Sequence, residues 1–229
     1  MNAIITGATK GIGRAIALKL ADDGYNLAIC SRDEAALAAL ASELETSGVR
    51  VHYLVADCAD KTAVYNFCDF CSQVFGQIDL LVNNAGVFLP GSLLDEDDTA
   101  FEQQLQLNLN GAYYLSKYMG RKMRSQRSGH IINVCSIASK QIKENAGSYS
   151  VTKWGLLSLN NVLRDELAKY NVKVTAVLPG STLTASWDGT EIPKEKFVQP
   201  EDIAESISQL LKLSPAANVD ELIIRPINF

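Results

Sequence analysis

The stretch Ala3-Ile4-Ile5-Thr6-Gly7-Ala8-Thr9-Lys10-Gly11-Ile12-Gly13-Arg14-Ala15-Ile16 decides how the chain folds. A short apolar run predicts a buried strand, and residues Ile12 to Asp23 carry apolar side chains at helical spacing. Between the two lie three glycines, and each has a physical use. Gly7 permits a tight turn out of the strand, Gly11 lets backbone approach a pyrophosphate, and Gly13 lets the helix pack closely on the strand. The helix N-terminus then offers unpaired N–H groups to an anion. The spacing is G-x-x-x-G-x-G, distinct from the commoner G-x-G-x-x-G, and its place directly after the first strand gives it weight.

Working outward, apolar runs rich in Ile, Val and Leu alternate with longer segments of helical period. Strands are expected at Ala3 to Thr6, Asn26 to Cys30, Val51 to Ala56, Leu80 to Asn83, His130 to Cys135, Lys173 to Leu178 and Glu221 to Arg225. Helices are expected near Ile12 to Asp23, Glu34 to Ser47, Thr62 to Phe75, Thr99 to Ser125, Ser148 to Lys169 and Pro200 to Lys212. Most strands lack polar alternation, which predicts helices on both faces of one parallel sheet. The expected fold class is therefore α/β, a doubly wound seven-stranded sheet in one domain over residues 1–229, with its ligand crevice at the carboxyl ends of the strands. Two long loops stand out, Ser136 to Gly147 and Pro179 to Gln199, the second holding a candidate substrate loop at 181–199.

Composition narrows the function classes. With 47% hydrophobic and 21% charged residues the chain has the makeup of an ordinary globular protein, long enough to bury a sizeable core. A net charge of -5 with scattered Lys and Arg argues against nucleic acid as a partner. No stretch approaches the roughly 18 apolar residues of a membrane span, and no export signal opens the chain. Five cysteines, an odd number, fit a reducing compartment better than a disulfide framework, so a cytoplasmic location is expected. Cys68 and Cys71 form a C-x-x-C, but Phe67, Cys68, Cys71, Val74 and Phe75 recur at helical spacing, so they read as apolar groups on a buried face and no metal site is expected.

Further motifs occur in order along the chain: Asp57 after the third strand, Asn83-Asn84-Ala85-Gly86 after the fourth, Asn108 in a long helix, Ser136 after the fifth, Tyr149-Ser150-Val151-Thr152-Lys153, and Pro179-Gly180 with Thr184. Taken with the glycine loop, nearly the whole chain resembles the short-chain dehydrogenase/reductase family. That resemblance implies a Rossmann fold and hydride transfer between a nicotinamide cofactor and a carbonyl or alcohol carbon. It implies that Gly7, Thr9, Lys10, Gly11, Ile12 and Gly13 meet the cofactor, Asp57 the adenine edge, Asn84, Ala85 and Gly86 the central crevice, and Pro179, Gly180 and Thr184 the nicotinamide. It also implies a homodimer or homotetramer through the long helices.

The second strand ends in Ser31-Arg32, where an Arg suits the 2′-phosphate of NADP(H) and a carboxylate would suit NAD(H). Lys10 adds a second positive charge, and Asp33 reads as a helix cap with Glu34 at the helix's positive end. NADP(H) is therefore the expected cofactor.

Tyr149 and Lys153 are four residues apart on a helix, so they emerge on one face. A phenol is a poor base at neutral pH, and a neighbouring ammonium favours its ionised form. The pair suits proton transfer to a carbonyl oxygen. Ser136 is the expected holder of that oxygen, with Ser139 the alternative hydroxyl, and the resemblance implies that Asn108 holds a water linking Lys153 to solvent. Catalytic roles thus fall on Asn108, Ser136, Tyr149 and Lys153. An apolar pocket is expected from Val87, Phe88, Leu89, Ile137, Leu183 and Trp187, suiting a small-molecule ketone or aldehyde. Alternatives within the resemblance are an oxoacyl-carrier-protein reductase, a pterin reductase, or an epimerase or dehydratase of longer relatives. Outside it stands a regulator that binds NADPH without chemistry.

Overall fold

A computed structural model describes residues 1–228. The chain alternates strand and helix: β1 (Asn2–Thr6), α1 (Gly11–Asp22), β2 (Asn26–Ser31), α2 (Glu34–Glu45), β3 (Val51–Val55), α3 (Lys61–Val74) and β4 (Leu80–Asn83). Next come α4 (Asp98–Leu105), a π-helical turn at Gln106–Asn110 and α5 (Gly111–Gln126). The chain then continues through β5 (Gly129–Val134), α6 (Gly147–Ala168), β6 (Val172–Pro179), α7 (Pro200–Leu211) and β7 (Glu221–Ile224). All seven strands are parallel, in the order β3-β2-β1-β4-β5-β6-β7. The chain reverses its direction of travel across the sheet between β1 and β4, which opens a crevice at their carboxyl ends.

The sequence of β1 shows why the sheet is covered twice. Successive side chains on a strand face opposite ways, and here both ways lead into a core. Ile5 packs with Ile16, Leu20, Leu37 and Ile203 from α1, α2 and α7. Ile4 packs with Phe67, Cys71, Leu115 and Met119 from α3 and α5. At the edge, β3 alternates between buried and more open positions, as a half-covered strand does. Cys68 and Cys71 lie on the buried face of α3 beside Val64 and Phe67, and burial pushes the Cys68 thiol up to about 12. They are small apolar groups of the core, and all five cysteines are free.

One expected helix is interrupted. The stretch Thr99 to Ser125 has an unbroken helical period, yet the structure inserts the π turn at Gln106–Asn110. A π turn takes up one extra residue within the helix and widens it locally. Two contacts account for it here. Asn108 is drawn into hydrogen bonds with the Val87 backbone. Gly111 passes so close to the Cys58 carbonyl that an added Cβ would lie 2.3 Å from its oxygen. Neither demand appears in the hydrophobic pattern.

Candidate active site

The strand ends meet in one cleft of about 700 Å³. At its β1 end, Gly7 and Gly11 adopt φ of +63° and +52°, a region that side chains disfavour. The turn is tied down when the N–H groups of Gly7 and Ala8 donate to the Cys30 carbonyl at 3.0 and 3.3 Å. Gly13 has no room for a side chain: a Cβ would lie 2.3 Å from both the Gly7 oxygen and Asn84 Nδ2. Asn84 holds the loop from the other side, donating from Nδ2 to the carbonyls of Thr6 and Gly7 at 3.0 Å each. Lys10 precedes α1 and supplies no side-chain cap, so the first N–H groups of that helix face the cleft unpaired by a capping side chain. A diphosphate fits such a cradle.

Beside this loop β2 ends at Ser31, and Arg32 follows. Arg32 is exposed and makes no ion pair among the described residues. Asp33 is engaged elsewhere, since its carboxylate accepts from the Ala36 N–H at 3.0 Å and caps α2. Asp57 comes just after β3 and accepts from the Ala59 N–H at 2.9 Å, while Asp60 caps α3.

The chemical end sits over β4 and β5. Lys153 is 5% exposed, and its Nζ donates to the Val134 carbonyl at 2.9 Å while lying 5.8 Å from the Tyr149 ring centroid. Asn108 accepts at Oδ1 from the Val87 N–H at 2.7 Å, and its Nδ2 donates to the Val87 carbonyl at 2.9 Å and to Thr152 Oγ1 at 3.2 Å. The Thr152 hydroxyl donates in turn to the Tyr149 carbonyl at 2.9 Å. Gly86 lies between these groups, its missing Cβ only 3.1 Å from Asn108 Oδ1 and 3.5 Å from Lys153 Nζ. Beneath, a buried amide ladder runs from Asn83 to Asn133 at 2.8 Å and from Asn133 to Asn160 at 3.0 Å, with Asn83 also donating to Ser116 at 2.8 Å. These bonds tie β4, β5 and α6 together beneath the site, with Asn83 Oδ1 the one ladder oxygen left without a partner among the described residues. The ring of Phe88 meets Tyr149 edge-on with centroids 4.9 Å apart.

A family model described as short chain dehydrogenase matches residues 1–194. The chain belongs to the short-chain dehydrogenase family. Among its relatives is an uncharacterized oxidoreductase of Staphylococcus saprophyticus, 34% identical over 226 residues, covering 98% of this chain and 97% of that one. An alcohol dehydrogenase from the archaeon Thermococcus sibiricus, solved in complex with 5-hydroxy-NADP, superposes with a TM-score of 0.92 at 32% identity, covering 99% of this chain and 96% of that one. A metagenomic short-chain oxidoreductase solved with NADP gives 0.87 at 30% identity, with 99% and 96% covered.

In this short-chain dehydrogenase the cleft is lined by Gly7, Lys10, Gly11, Ile12, Gly13, Asn84, Ala85, Gly86, Ser136, Tyr149, Lys153, Pro179, Gly180 and Thr184, all expected from sequence. Thr9, Ser31, Arg32 and Asp57 lie outside the lining, and Asn108 reaches it through Val87 and Gly86. Thr184 folds back over the glycine loop, its Cγ2 3.2 Å from where a Gly11 Cβ would be. Ser136 accepts from the Ala138 N–H at 3.1 Å, and Ser139 accepts from the Ser136 N–H at 3.3 Å. Ser139, the alternative hydroxyl, is thus buried as a cap and does not line the cleft.

Four of the six expected pocket residues, Val87, Phe88, Ile137 and Trp187, line the cleft. Leu89 and Leu183 do not. The Leu89 N–H donates to Gln104 Oε1 at 3.1 Å and the Leu183 N–H to the Val198 carbonyl at 2.9 Å, so each is pinned to a neighbouring segment. Sequence reasoning passed over Lys143 and Glu144 at the mouth, although the loop that carries them was already marked by its length. The Val134 carbonyl that holds Lys153 is a backbone group, and no side-chain signature could have flagged it.

Proposed function

We propose that this short-chain dehydrogenase reduces a small, largely apolar ketone or aldehyde with NADPH, or runs the reverse oxidation. The observation that carries the reading is Lys153, buried, tied to Val134 and lying beside the Tyr149 ring at the floor of an apolar cleft. Tyr149 protonates the carbonyl oxygen as charge develops there, and Lys153 favours the phenolate that remains. Ser136 donates to the same oxygen and stabilises that charge. Asn108 orients the Val87 and Thr152 groups around Lys153 and anchors the relay that returns a proton to Tyr149.

The chain fits the cofactor as well. Gly7, Thr9, Lys10, Gly11, Ile12 and Gly13 would hold the diphosphate, Ser31 and Arg32 with Lys10 the 2′-phosphate, and Asp57 the adenine edge. Asn84, Ala85, Gly86, Tyr149 and Lys153 would hold the nicotinamide ribose, and Pro179, Gly180 and Thr184 the nicotinamide. NADPH held there would supply the hydride, and the protein supplies positioning and proton handling. Support for NADP(H) over NAD(H) comes from the exposed Arg32 and from the NADP bound by the metagenomic relative. The test is NADPH oxidation with a panel of neutral ketones and aldehydes: turnover is expected. Tight NADPH binding with no turnover would favour a non-catalytic regulator instead.

A homodimer is part of the same proposal. Phe101, Tyr113, Val151, Trp154 and Val162 are exposed on α4, α5 and α6, with Trp154 at 47% and Val162 at 52%. Large apolar groups on facing helices suit a symmetric interface. A dimer's mass in light scattering, reduced to a monomer's by Trp154→Glu, is the expected result.

A further inference from the structure

The helix that carries Tyr149 and Lys153 begins without a cap of its own. Ala146 stands at the N-cap of α6, and no side chain there accepts from the first turn of this 22-residue helix. The first N–H groups of any helix lack intrahelical partners. Here they are met from a distant loop. The Gly147 N–H donates to the Gly91 carbonyl at 3.0 Å, and the Ser148 N–H donates to Glu96 Oε1 at 3.1 Å. The Ser148 hydroxyl donates to the same carboxylate oxygen. Two glycines allow the approach: a Cβ on Gly147 would fall 2.7 Å from the Leu93 nitrogen, and one on Gly91 2.8 Å from the Glu96 Cβ. The loop is clasped again where the Gly91 N–H donates to the Asn145 carbonyl at 3.0 Å.

We propose that Glu96 is a positioning residue for proton transfer, an anionic cap lent by the β4–α4 connection that fixes the first turn of α6 and, through Ser148, the adjoining Tyr149. The proposal rests on Tyr149 being the proton donor. A carboxylate suits the position because it meets the positive end of the helix dipole and makes charge-assisted hydrogen bonds. The same connection leaves β4 through Phe88, whose ring touches Tyr149. The tyrosine is therefore met at its ring by Phe88, and the residue before it, Ser148, is held by Glu96, from one continuous segment. Glu96 grips through a single oxygen, since Oε2 is buried without a hydrogen-bond partner. Glutamine can keep that grip with its carbonyl oxygen; alanine cannot.

Glu96→Ala, Glu96→Gln and Ser148→Ala test this. For Glu96→Ala we expect kcat to fall about tenfold, with KM for the carbonyl and Kd for NADPH within about twofold of wild type, as for a small misplacement of a reacting group. Amide exchange at Ser148 should quicken about tenfold as the first turn opens. Glu96→Gln, which keeps the accepting oxygen and gives up the charge, should restore most of both, and Ser148→Ala added to Glu96→Ala should cost nothing more, because the two act as one unit. An unchanged kcat in Glu96→Ala, an equal loss of NADPH affinity, or no rescue by Gln would overturn the proposal. If Glu96→Ala does not fold, Ser148→Ala carries the test with an expected loss of about threefold in kcat at unchanged KM. Should wild-type protein bind NADPH but turn over no carbonyl, the reductase reading fails, and the cap stands or falls on the exchange data alone.

Discussion

Asn108 clasps Val87 at both ends of its peptide backbone, accepting from the N–H at 2.7 Å and donating to the carbonyl at 2.9 Å. A side-chain amide is the group that can do both at once. The clasp joins the π turn to the segment leaving β4, directly above the glycine that makes room for Lys153. Asn108→Ala leaves both Val87 groups and Thr152 short of a partner. We expect a loss of stability of roughly 2 kcal/mol in urea denaturation, with a larger fall in kcat than in NADPH affinity.

Tyr149→Phe removes the proton donor and leaves the ring contact with Phe88 in place. The expected outcome is a kcat lower by about a hundredfold or more, with NADPH affinity lowered only a few-fold in a fluorescence titration, since one of several ribose contacts is lost. Retained turnover on any accepted carbonyl would remove Tyr149 from its role.

Gly13→Ala sets a methyl group against backbone. The Gly7 oxygen lies 2.3 Å from the new Cβ and cannot rotate away as a side-chain tip could. Overpacking of this kind costs about 1–3 kcal/mol. A lower unfolding midpoint should accompany at least about a tenfold weaker hold on NADPH, since the displaced loop is the phosphate cradle.

Arg32→Asp exchanges a free cation for a carboxylate beside the expected 2′-phosphate. NADPH binding should weaken by about tenfold or more, while NADH binding holds or improves. Raising the salt concentration should erode the wild-type preference for NADPH, because Arg32 is exposed to screening. Equal affinities before and after the substitution would place the discrimination elsewhere.

His130 predicts a pH dependence of stability. Burial, with the Lys173 ammonium as a lesser cause, pushes the imidazolium down to about 3, and Nε2 lies 2.8 Å from Thr175 Oγ1. The unfolded chain takes up this proton near pH 6.5, and the folded one resists it. Stability is therefore full above that pH and is lost as pH falls toward 3, by about 1.4 kcal/mol per unit. Urea midpoints measured from pH 6.5 down to 5 should decline in wild type and decline less in His130→Gln.

Most of the framework was legible in the chain because periodicity reports burial. Ile4 and Ile5 could be assigned to a doubly covered strand, and Tyr149 and Lys153 to one helical face, from spacing alone. Asp33 was recognisable as a cap by its place before a helical run. The features that escaped depend on contacts between distant segments. Nothing near Asn108 announces the extra residue of the π turn, because its causes are Val87, 21 positions earlier, and the still more distant Cys58 carbonyl. Leu89 and Leu183 look like pocket residues by hydrophobicity, but backbone hydrogen bonds to Gln104 and Val198 decide where their segments run. The same holds for Ser136 and Ser139, two hydroxyls three apart whose roles separate only when the cap between them is seen.

The π turn at Gln106–Asn110 also makes the long helix a counting device. The turn takes up one residue more than an α-helical turn over nearly the same rotation. With that residue removed it would close to regular α-helix, so the buried stripe of Leu115, Met119 and Met123 would still face inward while Asn108 lost its reach to Val87. Single-residue deletions in this turn should therefore cost turnover far more than folding, because the extra residue serves the site and not the core.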